Sequence, residues 1–292
     1  FRKALKITNG NQTSGAGAAD YLAIYHRIEG QDISSSGWNT TDSNSKLTLS
    51  YWVKSSVAQT FYGRFRAFAS SEYEYAYSFA LSANTWTKVT KTIPGNSNFS
   101  SLVNTNAQGF FHVWQCFFGT DYTNNKTLDE WAVKDNANKS PDMTSTWYTT
   151  NDATFEITGV QLEVGDTATD FEHRTFDDEL RRCMRYFEVF SPIQNQTGSI
   201  PLIRARTSVN SYNFAVSFYE KRVAPTGTID FDRLHKPGVV FDTINTLSLD
   251  ISTGETSSCT IDCTPNNDST ISTLAYLGKN SGQGELLLDA EL

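Results

Sequence analysis

Flat aromatic side chains set among acids and amides are the chemistry this sequence offers most plainly. Tyr122, Trp131, Trp147 and Tyr148 fall in one long polar stretch, 119–152, and Trp38 follows Ser34-Ser35-Ser36-Gly37 in another. Asp121, Asn124, Asn125, Asp129, Glu130 and Asp135 accompany them. Indole and phenol faces stack on the C–H faces of pyranose rings, and nearby carboxylates and amides bond sugar hydroxyls. These five aromatics are therefore candidates for carbohydrate binding. The competing reading has Trp131 and Trp147 folding back to plug a sandwich. Trp52, Trp86 and Trp114 lie inside strand patterns and read as packing residues.

Catalytic and metal chemistry is thinner. Glu72 and Glu74 share a strand face, roughly 7 Å apart by strand geometry, a spacing compatible with glycoside hydrolysis. Any alternating acidic strand offers the same, so the expectation is solvated charge. His26, His112, His173 and His235 form no i, i+4 ligand pair, and there is no Gly-x-Ser-x-Gly, P-loop or Gly-x-Gly-x-x-Gly. Cys116, Cys183, Cys259 and Cys263 are too few and scattered for a disulfide scaffold, and none has zinc-ligand spacing. On one strand, Cys259 and Cys263 would stand about 13 Å apart, too far for a disulfide. They read as small core residues.

The whole chain sets bounds on these readings. Its 292 residues allow about two domains. At 38% hydrophobic, 13% aromatic and 19% charged it is a globular composition. The formal charge of −8 argues against a nucleic-acid binder, which needs a basic field. No apolar run approaches the length of a membrane helix, so no membrane insertion is expected. The opening Phe1-Arg2-Lys3, with no initiator Met, reads as part of a longer polypeptide.

Period-2 patterns place these residues on strands. Leu47–Lys54, Phe61–Phe68, Glu72–Phe79, Trp86–Ile93, Phe110–Phe118 and Thr154–Val164 alternate between polar turns, which indicates an antiparallel sandwich. In Glu72–Phe79 the tyrosines Tyr73, Tyr75 and Tyr77 share a face, read as core or interface rather than as a platform. At Thr175 the period changes. Thr175 with Asp178 forms a loose capping box, and Leu180, Cys183, Met184 and Phe187 follow at helical spacing. A helix over 176–188, ended by Pro192, is expected. Alternation then resumes in Tyr212–Phe218 and Leu247–Ile251, with turns at Pro225-Thr226-Gly227, Lys236-Pro237-Gly238 and Asn280-Ser281-Gly282. All six tryptophans precede residue 148, which suggests two modules of different character.

One stretch resembles a known junction. Ile157-Thr158-Gly159-Val160-Gln161-Leu162-Glu163-Val164-Gly165, followed by Ala168-Thr169-Asp170-Phe171-Glu172-His173-Arg174 and Cys183-Met184-Arg185-Tyr186-Phe187, is similar to a segment of bacteriophage tail-fibre and tail proteins. There a jelly-roll module, similar to carbohydrate-binding modules, feeds a short helix. Lys54-Ser55-Ser56, Ala83-Asn84-Thr85-Trp86 and Thr92-Ile93-Pro94-Gly95 look like upstream parts of that module. Val216–Thr226 resembles the C-terminal domain of such fibres, with Lys221 where a Met is usual.

The resemblance implies an all-β chain: a jelly-roll over 1–175, a linking helix over 176–190 and a smaller β-sandwich tip over 191–292. It implies a homotrimer on the virion, joined to upstream fibre or tail proteins, that binds host surface polysaccharide or lipopolysaccharide. No cofactor is required. Because jelly-roll sugar-binding modules often hold a structural Ca²⁺, Glu163 and Asp166 are its candidate ligands. The expected function is non-enzymatic receptor binding. An architectural virion component is the alternative, and a polysaccharide depolymerase ranks below both.

Overall fold

The computed structural model describes residues 1–12, 14–190, 200–201, 204–208, 211–231, 233–236, 239–251, 256–265, 276–278 and 285–291. The chain forms two compact units, Phe1–His173 and Arg174–Leu292.

In the first unit the strands are β1 (Leu5–Thr8), β2 (Tyr21–Glu29), β3 (Lys46–Ser55), β4 (Gln59–Phe68), β5 (Glu72–Leu81), β6 (Thr87–Pro94), β7 (Gln108–Phe118), β8 (Trp131–Val133) and β9 (Thr154–Val164). Two short helices, α1 (Gly30–Ser35) and α2 (Thr146–Thr149), interrupt them. One sheet has the order β1-β9-β3-β6 and the other β2-β7-β4-β5-β8. All their strand pairs are antiparallel. With the three-residue β8 set aside as an edge addition, the chain crosses between sheets at every step except the β4–β5 hairpin, in jelly-roll order.

Alternation decides what lies between the sheets. Leu47, Leu49, Tyr51 and Val53 of β3 are buried in the core, where they meet Phe61 and Phe65 of β4 and Phe110 and Trp114 of β7. The tyrosine stripe points inward as well: Tyr75 and Tyr77 are buried and Tyr73 packs against the same cluster. Gly63 makes room for Tyr77, since a Cβ there would stand 2.3 Å from the phenol ring.

A polar chain crosses this core. Tyr51 and Tyr77 share a hydroxyl–hydroxyl bond of 3.1 Å, and the Tyr77 hydroxyl lies 2.7 Å from His112 Nε2. Burial, then His26 and Arg64, hold the His112 imidazole well below its usual range, so it is neutral in the fold. An unfolded histidine takes a proton below pH about 6.5. The folded one does not, so stability is complete above that pH and falls as the pH drops, by up to about 1.4 kcal/mol per unit. We expect His112→Gln to flatten the stability profile between pH 6.5 and 5. Parallel profiles for the two proteins in urea titrations would rule His112 out as the responsible group.

The outer face of the five-stranded sheet corrects one expectation. Glu74 is fully buried and ion-paired with buried Arg64, while Glu72 pairs with Arg66 and, at 3.1 Å, with Lys134. These glutamates are not a solvated pair because the stretch 119–152 brings buried Lys126 and half-buried Lys139 into the field of Glu74 and adds β8 to the edge of β5 beside them. The Asp129 amide bonds the Ala76 carbonyl at 2.8 Å and the Lys134 amide bonds that of Glu72 at 2.9 Å.

The second unit opens with α3 (Phe176–Met184). Its strands are β10 (Phe187–Phe190), β11 (Ile200–Pro201), β12 (Arg204–Ser208), β13 (Ser211–Ser217), β14 (Thr226–Asp230), β15 (Arg233–Lys236), β16 (Val239–Asp250), β17 (Ser258–Pro265), β18 (Tyr276–Gly278) and β19 (Glu285–Asp289). They form sheets ordered β10-β19-β14 and β11-β18-β15-β16-β17-β13-β12. Val216, Cys259, Ile261 and Cys263 from the larger sheet pack with Leu286 and Leu288 from the smaller. Both cysteines are free and buried, as their strand spacing predicts.

The Thr175 hydroxyl accepts from the Asp178 amide at 3.3 Å, which caps α3 as expected. The helix is shorter than predicted. It stops at Met184, and Phe187 begins a strand instead of a further turn. The reason is pairing: β10 runs antiparallel to β19, the Arg222 amide bonds the Arg185 carbonyl at 3.0 Å, and the Ala290 amide bonds that of Tyr186 at 2.7 Å. Lys221 is buried, with its ammonium 2.6 Å from the Met184 carbonyl and 2.5 Å from Glu188 Oε2. That accounts for a lysine at this position. Gly227 belongs to β14 rather than to a turn because it pairs with Leu288 of β19, and it is a glycine because a Cβ there would meet the Leu249 side chain at 2.0 Å. Pro192, Pro237-Gly238 and Asn280-Ser281-Gly282 lie outside the described residues, as do the side chains of Tyr212, Phe214 and Leu247.

Candidate functional site

Of the five aromatics nominated from the sequence, Trp38 and Trp147 are buried and Tyr122, Trp131 and Tyr148 are half-buried against neighbouring side chains. Trp147, in α2, is 0% exposed, packed against Phe61 and Phe155, and its indole N–H bonds the Thr154 carbonyl at 3.0 Å. Asn9 Nδ2 fastens α2 from below through the carbonyls of Trp147, Tyr148 and Thr150. Trp38 is buried against Phe99 and Phe110, with its N–H on the Ser45 carbonyl. Half-buried Trp131 packs on Phe99 and Tyr75 and donates to the Pro94 carbonyl at 2.8 Å. Tyr148 stacks on Phe117 with centroids 4.5 Å apart, and the Lys139 ammonium stands 4.3 Å over the Tyr122 ring. Stacking on a sugar at Trp38 and Trp147 is corrected: indoles that are buried and bonded to backbone carbonyls plug the sandwich.

The exposed tryptophans are two of those read as packing residues. Trp52 is 36% exposed and Trp86 39%. They line a groove of about 580 Å³ with Glu156, Thr158 and the segment Phe1–Ala4, a volume suited to a small ligand. Trp52 stands on β3 opposite Lys88 of β6 and Thr158 of β9. Of the other four indoles, those at 38, 114 and 147 are buried and Trp131 is half-buried.

Local chain geometry builds each wall. Trp86 follows the crossover from β5 to β6. There Asn84 adopts φ +56°, a left-handed turn asparagine tolerates, and its amide bonds the Ser55 carbonyl at 2.7 Å. Lys54, next but one to Trp52, reaches Glu156 at 2.9 Å and lies 5.1 Å from the Trp86 ring centroid. This ion pair and cation–π contact brace the indole. The Thr158 hydroxyl donates to the Lys3 carbonyl at 2.8 Å and holds the opposite wall.

The residues of the junction stretch close this face from its other end. Gly159 has φ +61°, and a Cβ there would strike the Phe1 ring at 2.3 Å. Phe1 packs in turn on Phe171 and His173. The Gln161 side chain accepts from the Glu172 amide at 2.8 Å and donates to the Asp170 carbonyl at 3.3 Å. Both Glu163 oxygens take bonds from Thr169, one from its amide at 3.1 Å and one from its hydroxyl. Asp166 Oδ1 accepts from the Thr167 hydroxyl at 3.0 Å. Glu163 and Asp166 are thus engaged with threonines of the strap 165–173. Among the described residues no three His, Cys, Asp or Glu side chains come together as a metal site.

No family model matches the chain. No curated protein matches it. Among solved structures, the tripod (BppUct-A-L) from the baseplate of bacteriophage Tuc2009 is similar at 14% identity, over 75% of this chain and 76% of that one, with a TM-score of 0.28.

Proposed function

We propose that this chain is a host-recognition component of a phage tail, the distal part of a fibre, which binds cell-surface glycan in the Trp52–Trp86 groove without cleaving it. The observation that carries the reading is a pair of exposed indoles in one groove beside a carboxylate and a threonine hydroxyl. Stacking faces with convergent polar groups are what a pyranose requires. The tail assignment draws its support from the sequence of the junction, 157–187. Binding without hydrolysis fits the pairing of Glu72 with Arg66 and Lys134 and of Glu74 with Arg64, which leaves neither carboxylate alone.

A homotrimer belongs to the same proposal. The apolar side of α3 supports it: Phe176 is 78% exposed and Leu180 40%, a stripe that an assembly would cover. Three copies would turn weak single-site binding into firm attachment through effective concentration. The same stripe would serve a purely architectural virion protein, which is the second reading.

The test is an array of bacterial envelope polysaccharides and lipopolysaccharides probed with the full chain, whose solution mass is measured in parallel. Trp52→Ala and Trp86→Ala should each weaken binding by about 10- to 30-fold, the scale of an interface hot spot, with the melting temperature moved by no more than about two degrees. Binding that survives both substitutions would move the site elsewhere. A chain that binds no envelope glycan, with the variants indistinguishable from wild type, would leave the architectural reading.

A further inference from the structure

Resting on the Trp52–Trp86 groove as the glycan site, we infer that its ligand is an anionic glycan, one carrying carboxylate or phosphate groups next to the stacked ring. The indole faces stack on any pyranose, so the charged groups around them must choose among sugars. The groove lining carries two cations, Arg2 and Lys3, and one carboxylate, Glu156. Glu156 is already neutralised by Lys54 at 2.9 Å. What remains facing the groove is the pair Arg2 and Lys3, which make no ion pair among the described residues. Lys88 stands across from Trp52 in the sheet register and also acts on Glu163.

The local sign runs against that of the whole chain, whose formal charge is −8. Screening at physiological salt confines a charge to about 8 Å, so a ligand in the groove responds to these nearby cations rather than to the distant acids. Arg2 and Lys3 lie on a wall held by the backbone, through the bond from Thr158 to the Lys3 carbonyl. Replacing their side chains leaves that wall standing.

The experiment uses an array in which each acidic oligosaccharide is printed beside its uncharged twin. Uronic acid oligomers are paired with their methyl esters, and phosphorylated oligomers with their dephosphorylated forms. The full chain should prefer acidic members by about three- to tenfold at low salt, the scale of two exposed ion pairs, and the preference should vanish in about 1 M salt, where the screening length is about 3 Å. The Arg2→Gln/Lys3→Gln variant should bind both twins equally, at the level wild type shows for the neutral one. Trp52→Ala should lose both. Whether the carboxylate or the phosphate pair shows the larger gap identifies the anion. Trp52-dependent binding that ignores charge would overturn this inference and leave the glycan site standing. No Trp52-dependent binding to any member would overturn both.

Discussion

Trp147→Ala is expected to cost the first unit about 3–5 kcal/mol, the range for truncating a large buried aromatic. The side chain has no solvent exposure, lies against Phe61 and Phe155, and closes one end of the sandwich. Its backbone amide also takes the Gln59 carboxamide oxygen at 2.9 Å, and its indole N–H the Thr154 carbonyl. Truncation therefore opens a cavity and removes one of the two bonds that the Thr154 carbonyl accepts, leaving the one from the Ser56 amide at 3.0 Å. The midpoint of thermal unfolding should fall by roughly 6–20 °C for a unit of this size. Trp52→Ala is the control, since that indole leans on the outer face and supports little. It should move the midpoint by no more than a degree or two, about what a surface change of 0.5 kcal/mol produces. The pair of variants separates the two jobs tryptophan performs here. If both melt alike, the assignment of Trp147 to packing and of Trp52 to recognition fails.

That division of labour was partly legible in the sequence, in a pattern finer than the contrast between loops and strands. In Leu47–Lys54 the core takes Leu47, Leu49, Tyr51 and Val53, so Trp52 shares parity with Thr48, Ser50 and Lys54. It is the one large apolar residue on a polar face, and a tryptophan there has solvent or a ligand to meet. Trp86 likewise keeps step with Lys88, Thr90 and Thr92, while Val89 and Ile93 face inward. Strand position alone thus misassigned both indoles, and parity places them. The sandwich itself, the tyrosine stripe and the Thr175 cap follow from local pattern and were readable. The seating of segment 119–152 beside the five-stranded sheet was not. That segment has no periodicity, and what it meets depends on contacts between residues far apart in sequence. The early end of α3 was hidden for the same reason, because the strand that claims Phe187 lies a hundred residues downstream.

The outer face of the five-stranded sheet carries the second large effect. Arg64→Met should destabilise the first unit by about 3–5 kcal/mol, because it leaves the fully buried Glu74 carboxylate without its partner. Arg66, engaged with Glu72, and Lys126 and Lys139 also lie in the field of Glu74 and offset part of the loss, but none of them forms its ion pair. The loss should appear first at the β8 edge, where the Asp129 and Lys134 amides bond the β5 backbone on either side of Glu74. Hydrogen exchange at those two amides should quicken before the core strands do. Changing both partners, Arg64→Met with Glu74→Leu, removes the stranded charge as well as the pair. Most of the lost stability should then return, since a buried ion pair replaced by apolar groups of similar volume is often neutral or better. The two single changes and the double change form a cycle whose coupling measures the pair directly. Additive losses would mean that Arg64 and Glu74 contribute independently, and that the segment 119–152 is held by its backbone bonds and by the Lys139 contact with Tyr122 rather than by the pair beneath it.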